Sequence, residues 1–218
     1  MGLTDYRNRH AGETAYVIGS GASLNHIDHT FFDDKLCVCV NYSGVSKMLR
    51  TFYSVSHHHN DADQIARMRP DLTVFTTEVE QVPSADRSPH PAREPNVIKV
   101  PTIEQHYAAF NPFEHWPEDP DRLIVGPSSI HLTMHMAAYM GAAHIVLVGA
   151  DCGEFDGASR VTGYEHPDGL LHFDVWRNAL ESMANKLRSL GVSVHSLNPW
   201  VTPALEGHAY RSGTCSIN

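Results

Sequence analysis

Four short apolar runs of this chain each end in a small or polar residue suited to ligand binding. The runs are residues 15–18, 36–40, 52–55 and 143–148, and they are followed by Gly19-Ser20-Gly21, Asn41, the His57 region and Asp151. If the runs are parallel strands, their carboxyl ends meet in one crevice, where ligands of open α/β sheets bind. The sequence therefore predicts one ligand site at that crevice.

The first of these turns, from Gly19 to Ser23, has the sequence GSGAS, which is typical of a phosphate-binding turn between a strand and a helix. Its two glycines allow a positive φ and a close approach of the ligand to the backbone. Ser23 is suited to cap the following helix or to donate a hydrogen bond to a phosphate oxygen. An ordinary strand-to-helix turn uses the same residue types, so both interpretations stay open at this point.

The order of the elements predicts an α/β, Rossmann-like fold with a mainly parallel sheet flanked by helices. We expect a single domain over residues 1–218, with a polar lead-in over residues 1–14 and a first helix that begins near Ser23. The alternative to that helix is one short turn over residues 25–28. A proline-rich, irregular insertion is expected at about residues 78–122. Helical spacing then predicts a helix over residues 128–140, capped by Ser128 or Ser129, and a second one over about 174–190.

Composition excludes several classes of protein. The 218 residues are 42% hydrophobic and 19% charged, which is typical of a globular protein. A formal charge of −9, without a cluster of Lys or Arg, argues against nucleic-acid binding. The apolar runs are far shorter than a membrane span, and the N-terminus lacks an apolar signal segment, so we expect no integral membrane segment and a cytoplasmic location.

Cysteine and histidine patterns favour neither disulfides nor a tight metal site. Cys37 and Cys39 are two residues apart on one predicted strand, and the other two of the four cysteines are isolated, so reduced thiols are expected. The run His57-His58-His59 cannot direct all three rings at one ion, and surface or acceptor-site roles suit it better. We expect no required cofactor, although Mg²⁺ remains open.

Two blocks of the chain resemble bacterial lipooligosaccharide sialyltransferases and their relatives. Residues 17–28 have the sequence VIGSGASLNHID and resemble the GxGPSLxxID opening of that group. Residues 128–151, from the Ser128-Ser129 pair through a helix and a strand to Asp151, resemble its second block. The relatives include motility-associated glycosyltransferases and, more remotely, archaeal 6-hydroxymethylpterin diphosphokinases. Asn41 stands where the group places an Asn after its second strand.

The resemblance implies roles for individual residues. The residues that would hold the CMP part of a donor sugar are Gly19, Ser20, Gly21, Ser23, Asn41, Ser128 and Ser129. Asp151 would orient the nucleotide, assist a divalent ion, or cap its own loop. A histidine before the last long helix would be the base, and His166 and His172 both stand there. Tyr164 would hold the leaving phosphate, but Gly153 and Phe155 stand where a further tyrosine is expected.

These features together predict an inverting glycosyltransferase that uses a nucleotide-sugar donor, CMP-linked as in sialyltransferases, and a glycan or small hydroxyl acceptor. The resemblance also implies a homo-oligomer. One alternative is a diphosphokinase-like pyrophosphate transferase, although the chain lacks the Asp-rich segment that those enzymes use for Mg²⁺. The other alternative is a nucleotide-binding accessory protein without catalytic activity.

Overall fold

The computed structural model describes residues 2–78, 92–104, 116–154, 157–164 and 173–197. The strands are β1 Thr14–Ile18, β2 Leu36–Val40, β3 Tyr53–Ser56, β4 Val74–Thr77, β5 Val97–Val100, β6 Thr102–Glu104, β7 Leu123–Val125, β8 His144–Val148 and β9 Ser193–Ser196. The helices are α1 Ser43–Ser46, α2 His59–Met68, α3 Ser129–Tyr139 and α4 Phe173–Ser189.

Seven of the strands form one parallel sheet in the order β5-β4-β3-β2-β1-β8-β9. The chain builds the sheet outward from β1 to β5 and then returns to place β8 on the other side of β1. In register, Val17 of β1 lies between Val38 of β2 and Leu147 of β8. The direction of strand order therefore reverses between β1 and β8, and the predicted α/β fold is confirmed.

One face of the sheet is covered by the two long helices. Ala15 and Val17 of β1 belong to the same buried cluster as residues of α3 and α4. The helical members include Leu132, Met134, Met136, Leu180, Met183 and Leu187. Because both faces of the central strands are covered, β2 is an almost continuous apolar run rather than an alternating one.

The opposite face differs from the prediction, because no α-helix follows the glycine turn. The connection from β1 to β2 contains two 3-10 turns, Ala22–His26 and His29–Phe32. The Asp28 carboxylate accepts hydrogen bonds from the backbone N–H and the hydroxyl of Thr30, which favours a local turn over a continuing helix. Ser23 accordingly caps no helix, and the N-cap position of the first turn is Gly21.

Two further expectations need correction. The range 78–122 is not irregular throughout, since β5 joins the edge of the main sheet and β6 pairs with β7 in a second sheet. Residues 79–91 and 105–115 of that range lie outside the described residues. The lead-in is also partly core, because Tyr6 is buried and its ring packs 5.0 Å from that of Phe75.

The structure also describes helix α2 and three of the four cysteines. Helix α2 begins at His59, with His58 as its N-cap residue. Cys37, Cys39 and Cys152 are free thiols, and Cys215 lies outside the described residues. Within the residues that the structure describes, no helix is long and apolar enough to cross a membrane.

Candidate functional site

A cleft opens where the strand order reverses, at the carboxyl ends of β1 and β8. Five of the residues predicted from the sequence line it: Gly19, Ser20, Gly21, Ser128 and Asp151. The four strands that carry the predicted polar ends, β3, β2, β1 and β8, are consecutive in the sheet. The residues after β1 and β8 line this cleft together with Val40 of β2, whereas Asn41 and His57 are not among its lining residues.

The two glycines of the turn have a different role from the one predicted. Neither Gly19 nor Gly21 has a positive φ. A Cβ atom at Gly19 would overlap the carbonyl oxygen of Gly149, and one at Gly21 would lie 2.5 Å from the Asp151 carboxyl carbon. The N–H of Gly21 also donates to the Gly149 carbonyl at 2.8 Å. The glycines are needed because the two loops of the cleft touch each other.

Asp151 fastens these two loops together. Its carboxylate accepts hydrogen bonds from the backbone N–H of Ser23, at 2.7 Å, and from the Ser23 hydroxyl. Both residues are buried. Burial raises the pKa of Asp151 above its usual value, and the two hydrogen bonds oppose that rise. Of the roles considered for Asp151, this geometry favours holding the loop, and the Ser23 hydroxyl is directed at Asp151.

Asn41 and Tyr164 form a buried pair beside the glycine turn. The Asn41 side-chain nitrogen donates to the Tyr164 hydroxyl at 3.3 Å. Asn41 has a φ of +48°, in the left-handed region that Asn tolerates better than most residues. Its side-chain oxygen is buried without a hydrogen-bond partner in the described part of the chain. Burial raises the pKa of Tyr164, so the phenol keeps its proton at neutral pH.

The serine pair divides between the cleft and the end of β3. Ser128 is the N-cap residue of α3 and lines the cleft. The Ser129 hydroxyl lies 3.1 Å from Nδ1 of His57 instead. Nε2 of His57 lies 2.9 Å from Nε2 of His58, and His59 donates to the carbonyl of Thr77 at 2.7 Å. His57 and His58 thus contact each other while His59 contacts the backbone, and no group of three or more metal ligands occurs among the described residues.

Arg160 and Trp176 line the cleft but were not among the site residues predicted from the sequence. The Arg160 guanidinium carbon lies 5.3 Å from the centre of the Tyr164 ring. Nε of Arg160 and Nε1 of Trp176 are buried, and neither has a hydrogen-bond partner among the described residues. Arg160 belongs to no recognisable motif, and the position of Trp176 within the predicted helix over about 174–190 does not by itself indicate a binding role.

The segment that carries Arg160 and Tyr164 is held against the glycine turn. The N–H of Val161 donates to the carbonyl of Ser20 at 2.8 Å, and the N–H of Thr162 donates to the Asn25 side chain at 2.9 Å. This segment places Tyr164 against Asn41 and Arg160, although Tyr164 is not among the residues that line the cleft. The two candidate bases, His166 and His172, lie outside the described residues.

Comparisons with known proteins show distant structural likeness only. No family model matches the chain, and no curated protein matches it. Among solved structures, the chain is similar to the MAf glycosyltransferase from Magnetospirillum magneticum AMB-1, with 14% identity and a TM-score of 0.48. The match covers 95% of this chain and 40% of that one, so the chain spans less than half of that protein's length. The function of the chain is therefore inferred from its own residues.

Proposed function

We propose that the chain is a glycosyltransferase that binds a nucleotide-sugar donor in the cleft between β1 and β8. The observation that carries this proposal is the cleft itself, at the point where the strand order of a parallel sheet reverses. Nucleotides bind at this place in many open α/β folds. The two sequence blocks that resemble sialyltransferases also meet here, since Gly19–Gly21 and Ser128 line the same cleft as Asp151.

The described residues suit a nucleoside phosphate. Ser128 begins an 11-residue helix, and the first N–H groups of such a helix favour a phosphate through hydrogen bonds and the helix dipole. Asn41 does not line the cleft itself; its buried, unpartnered side-chain oxygen is a hydrogen-bond acceptor, so any contact with the donor would be with a ribose hydroxyl rather than a phosphate oxygen. Ser23 and Asp151 hold the turn in place, as their mutual hydrogen bonds indicate.

In the proposed reaction, His166 or His172 removes the proton from an acceptor hydroxyl. The hydroxyl oxygen then attacks the anomeric carbon from the side opposite the phosphate, which inverts that centre. The new bond forms between carbon and acceptor oxygen, while the bond between carbon and phosphate oxygen breaks. The nucleotide leaves with the electron pair, and the Tyr164 hydroxyl donates a hydrogen bond to the departing phosphate. The expected donor is CMP-linked, and no step requires a metal ion.

Donor turnover tests this proposal. Wild-type protein and the variants His166→Ala and His172→Ala are incubated with CMP-sialic acid and with UDP- and GDP-sugars, and nucleotide release is measured against pH. We expect release from one donor class, and a loss of about 100-fold in kcat for one of the two variants, because general-base catalysis typically contributes 10²–10⁴-fold. KM should stay nearly constant.

The exposed His29 provides the control, because it lies on the 3-10 turn of the opposite sheet face. His29→Ala should release nucleotide at the wild-type rate. Turnover at the wild-type rate in both His166→Ala and His172→Ala would show that neither histidine is the base. Nucleotide binding by a wild-type protein that releases nothing from any donor would identify an accessory protein instead of an enzyme.

A further inference from the structure

The cleft contains a cationic side chain that no anionic group of the described residues neutralises. Arg160 lines the cleft, and it makes no ion pair with any residue in the described ranges. Its Nε atom is inaccessible to solvent and lacks an acceptor there. Since withdrawing a charged donor from water is costly without a partner, such a group is expected to meet its acceptor in a ligand.

Trp176 provides a second donor in the same cleft. Its indole N–H is also buried without a partner in the described part of the chain. An indole N–H donates only, and so does a guanidinium. Two unpartnered donors that line one cleft therefore call for a ligand group rich in acceptor oxygens.

The acidic residue among the described residues of the cleft, Asp151, does not neutralise Arg160. The Asp151 carboxylate, the acidic group that lines the cleft among the described residues, is occupied on both oxygens by Ser23. Arg160 lies over the face of the Tyr164 ring, and Tyr164 is held by Asn41. Among the residues that the structure describes, the guanidinium is thus positioned by a cation–π contact rather than by a carboxylate, which leaves its N–H groups for the ligand.

We propose that Arg160 and Trp176 bind an oxyanion of the ligand, either the phosphate of a nucleotide or the carboxylate of an acidic sugar. The proposal deepens the proposed function and rests on it, because it assigns the part of the donor that these residues contact. Arginine suits either anion, since its planar guanidinium forms paired hydrogen bonds with carboxylate and phosphate alike.

Isothermal titration with three ligands tests the proposal. CMP carries the phosphate, cytidine lacks it, and free N-acetylneuraminic acid carries only the sugar carboxylate. The proteins are wild type, Arg160→Gln, Arg160→Lys, Trp176→Phe and the control Arg122→Gln, whose exposed side chain pairs with Asp119. Thermal unfolding of each variant checks that it is folded.

We expect Arg160→Gln to weaken CMP binding by about 10- to 100-fold and Trp176→Phe by about 3- to 10-fold, as lost charged and neutral hydrogen bonds typically do. Arg160→Lys should recover part of the loss. Cytidine binding should not change, and Arg122→Gln should match wild type. A loss confined to N-acetylneuraminic acid would assign the oxyanion to the sugar carboxylate.

The two proposals fail in different ways. If wild type binds CMP and Arg160→Gln binds all three ligands equally well, the role of Arg160 is wrong while the nucleotide site stands. If Arg160→Gln weakens the binding of cytidine as much as that of CMP, Arg160 contacts the nucleoside and the oxyanion assignment is wrong. If wild type binds none of these ligands and no other nucleotide, both proposals are wrong.

Discussion

At the scale of single residues, the glycine turn shows how one residue type can serve two purposes that a sequence does not distinguish. A Gly-Ser-Gly turn predicts either a special φ or a close approach. In this fold Gly19 and Gly21 have ordinary φ values, and the close approach is to the loop after β8 rather than to a ligand. The turn therefore acts first in assembling the cleft.

The mutation Gly19→Ala tests this role of the turn. The added methyl group would overlap the carbonyl oxygen of Gly149, which belongs to backbone that cannot rotate away. We expect the free energy of unfolding to fall by about 1–3 kcal/mol, the usual cost of overpacking. Urea unfolding measures it, with Gly2→Ala as the control, because nothing lies within 4 Å of a Cβ atom at Gly2. Equal stabilities of the two variants would contradict the assigned contact.

At the scale of elements, α3 combines a predicted position with an environment that the sequence does not reveal. Its apolar spacing and serine cap predict the helix to within a residue of its observed end. The same spacing does not reveal that His131 and His135 are buried inside it. Burial lowers the pKa of His131 to about 4 and that of His135 to about 3. Both rings are neutral in the folded protein at neutral pH.

The low pKa values of His131 and His135 predict that the protein loses stability in weak acid. Because the folded pKa lies below the unfolded value of about 6.5, the stabilising contribution is complete above that pH and is lost as the pH falls. For His135 the loss reaches about 2 kcal/mol at roughly pH 5. His135→Asn keeps an acceptor for the N–H of Ile124, which donates to the ring at 2.9 Å, and removes the titrating group.

Denaturant unfolding at a series of pH values from about 7 to about 5 measures the free energy of unfolding and checks this expectation. The His135→Asn variant should lose less stability than wild type over this range, by about 2 kcal/mol. The control is His195→Asn, since His195 is exposed on β9. A control that flattens the pH dependence as much as His135→Asn would place the titrating group elsewhere.

The connection after β1 marks a limit of sequence analysis at this scale. A glycine turn followed by Ser23 predicts a helix, but Asn25 and Asp28 favour local turns, and two 3-10 turns form instead. The strand β7 was also not anticipated, because three residues, Leu123–Val125, are too few to give a periodic signal. Long periodic elements such as α3 and α4 were predicted because many residues contribute to each pattern.

At the scale of the whole molecule, the order of strands decides which loops meet. The sequence analysis predicted that four polar strand ends share one crevice, because parallel strands present their carboxyl ends together. The fold places β1 beside β8 and so brings Ser23, at the end of the glycine turn, to Asp151 across 128 residues of sequence. What the sequence could not predict is which side chains remain without a partner, because that depends on contacts made after folding. Arg160 and Trp176 emerge only at this scale.

A crystal structure with bound nucleotide tests the central claim most directly, namely that the cleft between β1 and β8 is the nucleotide site. Crystals are grown with CMP or with the nucleotide that raises the melting temperature most. We predict electron density for the nucleotide between the loop of Gly19–Gly21 and that of Asp151, with an anionic group beside Arg160. A nucleotide bound elsewhere, or an empty cleft at a saturating concentration of every nucleotide tried, would contradict the account.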